Sequence, residues 1–175
     1  MNKIKKIIIA SLLLASTIVL SRILSIRTPI LTIGFSFVPI MLSGIILGPK
    51  YTVFIATLAD IIGALLFPIG SFFYGFTITA FLTGLVYGIF LYNKDEFKLD
   101  KKFIIKSIIA ILIVTILLNG VLNTIWIKMT VKDASKIIII PRVIKQLIMI
   151  PVKFFVLMAI SKIFGERINK LIKND

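Results

Sequence analysis

The 175-residue chain is 59% hydrophobic with a mean hydropathy of +1.10, against roughly 45–50% apolar residues in an ordinary soluble domain; one small core cannot hide the excess. It has neither cysteine nor histidine, which excludes disulfide scaffolds, thiol nucleophiles, Cys/His zinc sites and Ser-His-Asp triads. A net charge of +14 would suggest nucleic acid in a soluble protein, but here Lys and Arg flank apolar segments, so membrane topology and anionic partners explain it better.

A spanning helix needs about 20 mostly apolar residues, so the length accommodates about six spans with short loops and no separate soluble domain. The expected architecture is all-α: a six-transmembrane-helix bundle forming one integral membrane domain over residues 1–175. The first span, 7–24, follows the basic cluster Lys3, Lys5, Lys6. A signal peptide has the same start, but no small-residue cleavage site follows and every later segment is membranous. The second, 35–47, carries Pro39 and Gly44 and is too short to cross upright unless tilted, broken or extended. The third, 51–67, contains Asp60; the fourth is 72–92 and the fifth 103–127. The sixth, 137–164, is expected to be interrupted by Pro141 and Pro151 and to turn Arg142, Lys145 and Lys153 away from lipid.

With six spans, thirteen of the 21 Lys and Arg residues fall on the side that holds both ends of the chain. That side is expected to be cytoplasmic. The remaining basic residues are the anomaly. Arg22 and Arg27 lie at the outer end of the first span, Lys128, Lys132 and Lys136 in the last outer loop, and Arg142, Lys145 and Lys153 in the sixth span. Snorkelling and interfacial anchoring explain any one of them. As a set, with only Asp133 nearby to neutralise them, they suit an anionic ligand held near the outer surface, since Arg grips a carboxylate bidentately.

Asp60 is the only acid inside an apolar span. A carboxylate there costs roughly 2.5–3.5 kcal/mol on insertion scales, so it is functional or paired. It reads either as an ion-pair partner of Arg22, Arg27 or Arg142, or as an acceptor for a ligand with adjacent N–H donors. A single acid also argues against aspartyl chemistry, which needs two. Between the third and fourth spans, residues 66–76 combine Pro68, Gly70 and Gly75 with five aromatic rings, Phe73 and Tyr74 among them. These form either an interfacial aromatic belt or a stacking wall for a flat ring, to which Trp126 adds a second wall and Asn123 an amide. In the first span Ser11 and Ala15 make a small-xxx-small pair that lets another helix approach. No P-loop, G-x-S-x-G elbow or H-E-x-x-H helix is present. The chain is therefore read as no enzyme and as needing no cofactor or metal; uphill movement of a solute would draw on another subunit or an ion gradient.

Several stretches carry a family resemblance. They are Leu20-Ser21-Arg22-Ile23-Leu24-Ser25-Ile26, Gly34-Phe35-Ser36-Phe37-Val38-Pro39-Ile40, Gly48-Pro49, and Ala59-Asp60-Ile61-Ile62-Gly63-Ala64. Further on come Gly75-Phe76-Thr77, Leu122-Asn123-Thr124-Ile125-Trp126, and Pro141-Arg142 with Lys145. Together they resemble the S components, the substrate-binding subunits, of energy-coupling factor (ECF) vitamin transporters, and specifically the folate family. The resemblance implies a six-helix fold, an outward-facing site, and a complex with a transmembrane coupling subunit and two cytoplasmic ATPase subunits. It also implies import by toppling of the loaded subunit. The family's A-x-x-x-A contact for the coupling subunit falls here on Ser11 and Ala15, an imperfect match. Phe73-Tyr74-Gly75 departs from the family's aromatic-Pro-Gly sequence.

Folate then suggests a division of roles. Asp60 would accept from the pterin edge, Phe73, Tyr74 and Trp126 would stack on the rings, and Arg22, Arg27, Arg142 and Lys145 would hold the glutamate. Riboflavin or thiamine as the vitamin, and a membrane subunit with no ligand, are the competing readings. Cationic thiamine is disfavoured by the basic rim, and riboflavin has no carboxylate that needs it.

Overall fold

Helices account for nearly all of the residues that the computed structural model describes, namely 1–27, 32–68, 72–93, 97–130 and 136–173. Helix α1 is Lys3–Ile23, α3 Pro49–Leu66, α4 Tyr74–Leu91 and α5 Lys101–Thr130, each long and apolar enough to cross a membrane. So is residue range 140–171 of α6, which spans Lys136–Lys173. The remaining helix, α2 (Phe37–Leu47), has 11 residues, about 16 Å at 1.5 Å per residue, roughly half the hydrocarbon thickness. Its short run is explained by its place: Phe37, Met41, Ser43, Ile45 and Leu47 are all buried, so the neighbouring helices cover it.

The all-α membrane bundle is what the structure shows; a two-residue antiparallel pair, β1 (Ile26–Arg27) with β2 (Thr32–Ile33), lies only in the connection from α1 to α2. One expectation needs correction. Pro141 and Pro151 do not interrupt the last helix, which runs unbroken through both. Each proline removes one i→i−4 hydrogen bond, a loss that membrane helices tolerate where neighbours re-satisfy the backbone. The helix also continues past residue 164. Its 38 residues span about 57 Å, so the end stands clear of a bilayer core. There Asn169 clips the α4–α5 connection: Phe97 N donates to Asn169 Oδ1 at 2.8 Å, and Asn169 Nδ2 donates to Phe97 O at 2.9 Å.

Local chemistry sets the tight turns and close approaches. Between α2 and α3, Gly48 has φ +79°, a left-handed conformation open to glycine, and Pro49 begins α3, where a missing N–H costs nothing. Against α4, a Cβ on Gly84 would come within 2.7 Å of Thr52 O, and one on Gly88 would collide with Pro49. Small residues thus bring α3 and α4 nearly into backbone contact, as in membrane helix packing generally. The core gathers Met41, Ile45, Tyr87, Leu91, Ile111 and Leu157. Outward faces are apolar too, with Phe54, Leu65 and Phe155 at least 64% exposed, the pattern of a lipid-facing surface rather than a wetted one.

Helix α1 packs most lightly; its apolar window is 6% buried. Ile4, Ile7, Ile8 and Leu12 face outward, and so do Ser11 and Ala15. The small-xxx-small pair therefore lies on an uncovered face.

Candidate functional site

The site forms at the end of the bundle where α3 passes into α4. Its anchor is Asp60, three turns into α3. Thr77 on α4 donates from Oγ1 to Asp60 Oδ2 at 2.8 Å, and Arg22 Nη2 lies 3.7 Å from Asp60 Oδ1. Side-chain exposures of 22% for Asp60 and 16% for Arg22 place the pair inside the bundle but not sealed.

A local feature of α1 delivers the arginine. Residues Val19–Ile23 form a wide π-helical turn, preceded and followed by hydroxyls that bond back along the helix: Thr17 to Leu13 O at 2.7 Å and Ser25 to Ser21 O at 2.6 Å. Such back-bonding and π turns bend helices and re-aim side chains. Arg22 then reaches α3, where its Nη groups approach Asp60 O at 3.4 Å and Phe67 O at 3.5 Å. Phe67 caps α3, so a cation there also meets the negative end of the helix dipole. Gly63 makes the room, because a Cβ there would collide with Arg22 Nε.

Of the two readings of Asp60, the ion pair with Arg22 is present. It does not exhaust the carboxylate. An ionised Asp has about four lone-pair positions; Thr77 uses one on Oδ2, and the guanidinium stands at a loose 3.7 Å. Asp60 therefore keeps acceptor capacity for a ligand.

The same helix α4 also holds an aromatic wall. Phe73 and Trp126 lie 5.7 Å apart, centroid to centroid, tilted by 54°. Trp126 Nε1 donates to Thr79 Oγ1 at 3.1 Å, which satisfies the indole's single donor and fixes the ring. Gly75 lies under both, and a Cβ there would meet Trp126 Cδ2 at 2.6 Å. One turn below Trp126, Asn123 Nδ2 donates to Asn119 Oδ1 at 3.1 Å, while Asn123 Oδ1 is buried with no hydrogen-bond partner. The aromatic pair is therefore tied to α4 through Thr79, with Asn123 one turn below Trp126, while Asp60 is bound to the same helix through Thr77.

The other candidates are placed differently. Tyr74 is 75% exposed and packs edge-on against Phe72 at 5.0 Å, outside the Phe73–Trp126 pair. Arg142 and Lys145 are half-buried, one turn apart on α6. The Arg27 and Lys136 side chains, Lys132, Asp133, and the Ile69–Ser71 part of the aromatic connection lie outside the described residues. Lys153 is 5% exposed, near the middle of α6. A hollow beside α5 and α6, lined by Ile108, Ile111, Ile150, Pro151 and Phe154, is wholly apolar and offers nothing to orient a polar ligand.

Sequence reasoning missed Thr77, Thr79, Asn119 and Thr115. Hydroxyls are ordinary in membrane helices, where most bond to their own carbonyls, as Thr52 does to Gly48 O at 2.8 Å. Nothing in the sequence distinguishes Thr77, whose hydroxyl crosses to another helix.

Comparison with known proteins fits this geometry. A family model described as "ECF transporter, substrate-specific component" matches residues 5–161. The chain is 35% identical over 175 residues to the folate transporter FolT of Clostridium novyi (strain NT), covering 99% of this chain and 98% of that protein. It is 36% identical over 154 residues to the folate transporter FolT of Leuconostoc mesenteroides, covering 85% and 80%. A crystal structure of FolT bound with folic acid superposes with a TM-score of 0.79 at 34% identity, covering 93% of each chain. The chain belongs to the family of substrate-specific components of ECF transporters. It is a multi-pass membrane protein, the substrate-binding part of a transporter assembly.

Proposed function

We propose that this chain captures folate from outside the cell and, with a coupling transmembrane subunit and two cytoplasmic ATPase subunits, carries it inward without a chemical step of its own. Both termini lie in the cytoplasm on this reading, in keeping with the excess of Lys and Arg on their side. The single observation that carries the reading is a partly buried carboxylate with spare acceptor capacity, bound to the same helix α4 that fixes the Phe73–Trp126 wall, in a chain resembling a protein crystallised with folic acid.

The flat pterin offers adjacent N–H donors on one edge, which suit Asp60, and two faces, one of which suits the aromatic pair. The glutamate carries two carboxylates, for which Arg142, Lys145 and Arg27 are the cations. Arg22 takes a different part from the one expected of it. Its guanidinium is committed to Asp60 and the end of α3, so it keeps the carboxylate aimed. Tyr74, turned outward, is left out of the stacking wall.

Calorimetry of the purified protein with folic acid, riboflavin and thiamine tests the reading. Folic acid is expected to bind one-to-one with a dissociation constant below about a micromolar, or roughly −8 kcal/mol, and the other two not at all. Tight riboflavin or thiamine binding without folate binding would transfer the site to another vitamin; no binding of any of them favours a subunit without a ligand.

A further inference from the structure

Lys153 is a cation with no evident reason to be where it is. It sits near the middle of α6, 5% exposed. Its Nζ donates to Thr115 Oγ1 at 2.9 Å and stands 5.9 Å from the centroid of the Phe37 ring. Among the described residues no carboxylate lies within ion-pairing distance of it. An ammonium has three donors, and one hydroxyl and a ring face leave at least one without an acceptor. A basic side chain at this depth costs roughly 2.5–3.5 kcal/mol and is a functional candidate by default.

Its surroundings point toward the site. Thr115 belongs to a ten-residue π-helical stretch of α5, Ile113–Leu122, which is followed directly by Asn123 and, three residues on, Trp126. Phe37 opens α2, the helix entered from the β1–β2 pair at the site end of the bundle. Gln146, also buried, lies two turns earlier on the same face of α6. The ammonium is thus enclosed by α2, α5 and α6, about three turns of α5 away from Trp126, with buried Gln146 between it and the start of α6.

We infer that Lys153 is a further ligand-binding residue, the floor of the folate site, donating to an acceptor oxygen of the bound molecule. This rests on the folate reading. Two oxygens of the ligand share that chemistry, the pterin ring carbonyl and a glutamate carboxylate. Thr115 and Phe37 hold the cation in place until the oxygen arrives, and this donor complements the two acceptors, Asp60 and Asn123.

Lys153→Met keeps the length and removes the charge, and Lys153→Gln keeps a donor without charge. Calorimetry with folic acid and with pteroic acid, which lacks the glutamate, is run on both variants beside thermal melts. Because replacing a buried charge by an apolar chain is commonly neutral or stabilising, Lys153→Met is expected to melt no lower than wild type while binding folic acid at least about tenfold more weakly. An equal loss for pteroic acid assigns the ring carbonyl, and a loss for folic acid alone assigns a carboxylate; both support the inference. Unchanged affinity, or affinity lost only in step with melting temperature in both variants, overturns it and leaves Lys153 a packing residue. Wild-type protein that binds no folate sinks the folate reading and this inference with it, whereas normal wild-type binding with an unaffected variant sinks the inference alone.

Discussion

Asp60→Asn is expected to weaken folate binding by about a hundredfold. A hydrogen bond to a charged group contributes roughly 1.5–3 kcal/mol, and each 1.4 kcal/mol is about tenfold in affinity. The asparagine keeps the size of the side chain but replaces one acceptor oxygen with an NH2 that faces the pterin's own donors. Stability should fall as well, because Arg22 would remain against Gly63 and Phe67 O without its counter-charge. With both partners partly exposed, that loss is on the order of 1–2 kcal/mol, less than for a sealed pair. Adding Arg22→Met should recover the melting temperature without recovering affinity. Calorimetry and thermal melts separate the two effects, and binding within threefold of wild type would remove Asp60 from the site.

Ala15→Leu is expected to abolish transport and leave binding intact. Ala15 faces outward on the lightly packed α1, one turn from the equally outward Ser11, and touches no part of the folate site. The added isopropyl group points outward from the lightly packed helix, so the fold should stand. It does hold a second helix away from the backbone, and close approach is what small residues at this spacing provide in membranes. In vesicles reconstituted with the coupling and ATPase subunits, uptake should fall at least about twentyfold while folate affinity stays within about twofold. Wild-type uptake would place the coupling contact elsewhere on the chain; joint loss of uptake and binding would mean a damaged fold.

Much of this was legible before any coordinates. Apolar runs located the helices because a bilayer demands about 20 such residues per crossing. Asp60 stood out because an acid in an apolar helix is costly, and Arg22 was named among its partners. Phe73 and Trp126, expected as two walls, pack against each other as one in the structure.

What escaped has physical reasons. Hydropathy ended the last span at 164, but the helix continues as an amphipathic segment whose buried Ile168 and clipping Asn169 carry no lipid signal. Pro141 and Pro151 read as breaks because proline breaks isolated helices, an argument that bundle packing overrides. The π turns in α1 and α5 are not encoded in linear spacing, and they carry Arg22, which meets Asp60, and Thr115, which meets Lys153. Tyr74 and Phe73 are neighbours in sequence, and only the start of α4 sends one outward and the other beneath Trp126.

The most direct measurement is a structure of this protein solved with folic acid. The pterin edge should lie within hydrogen-bonding distance, about 2.7–3.2 Å, of Asp60, with its ring against Phe73 and Trp126 and its glutamate toward Arg142 and Lys145. Folate bound elsewhere, with Asp60 still held only by Thr77 and Arg22, would contradict the account.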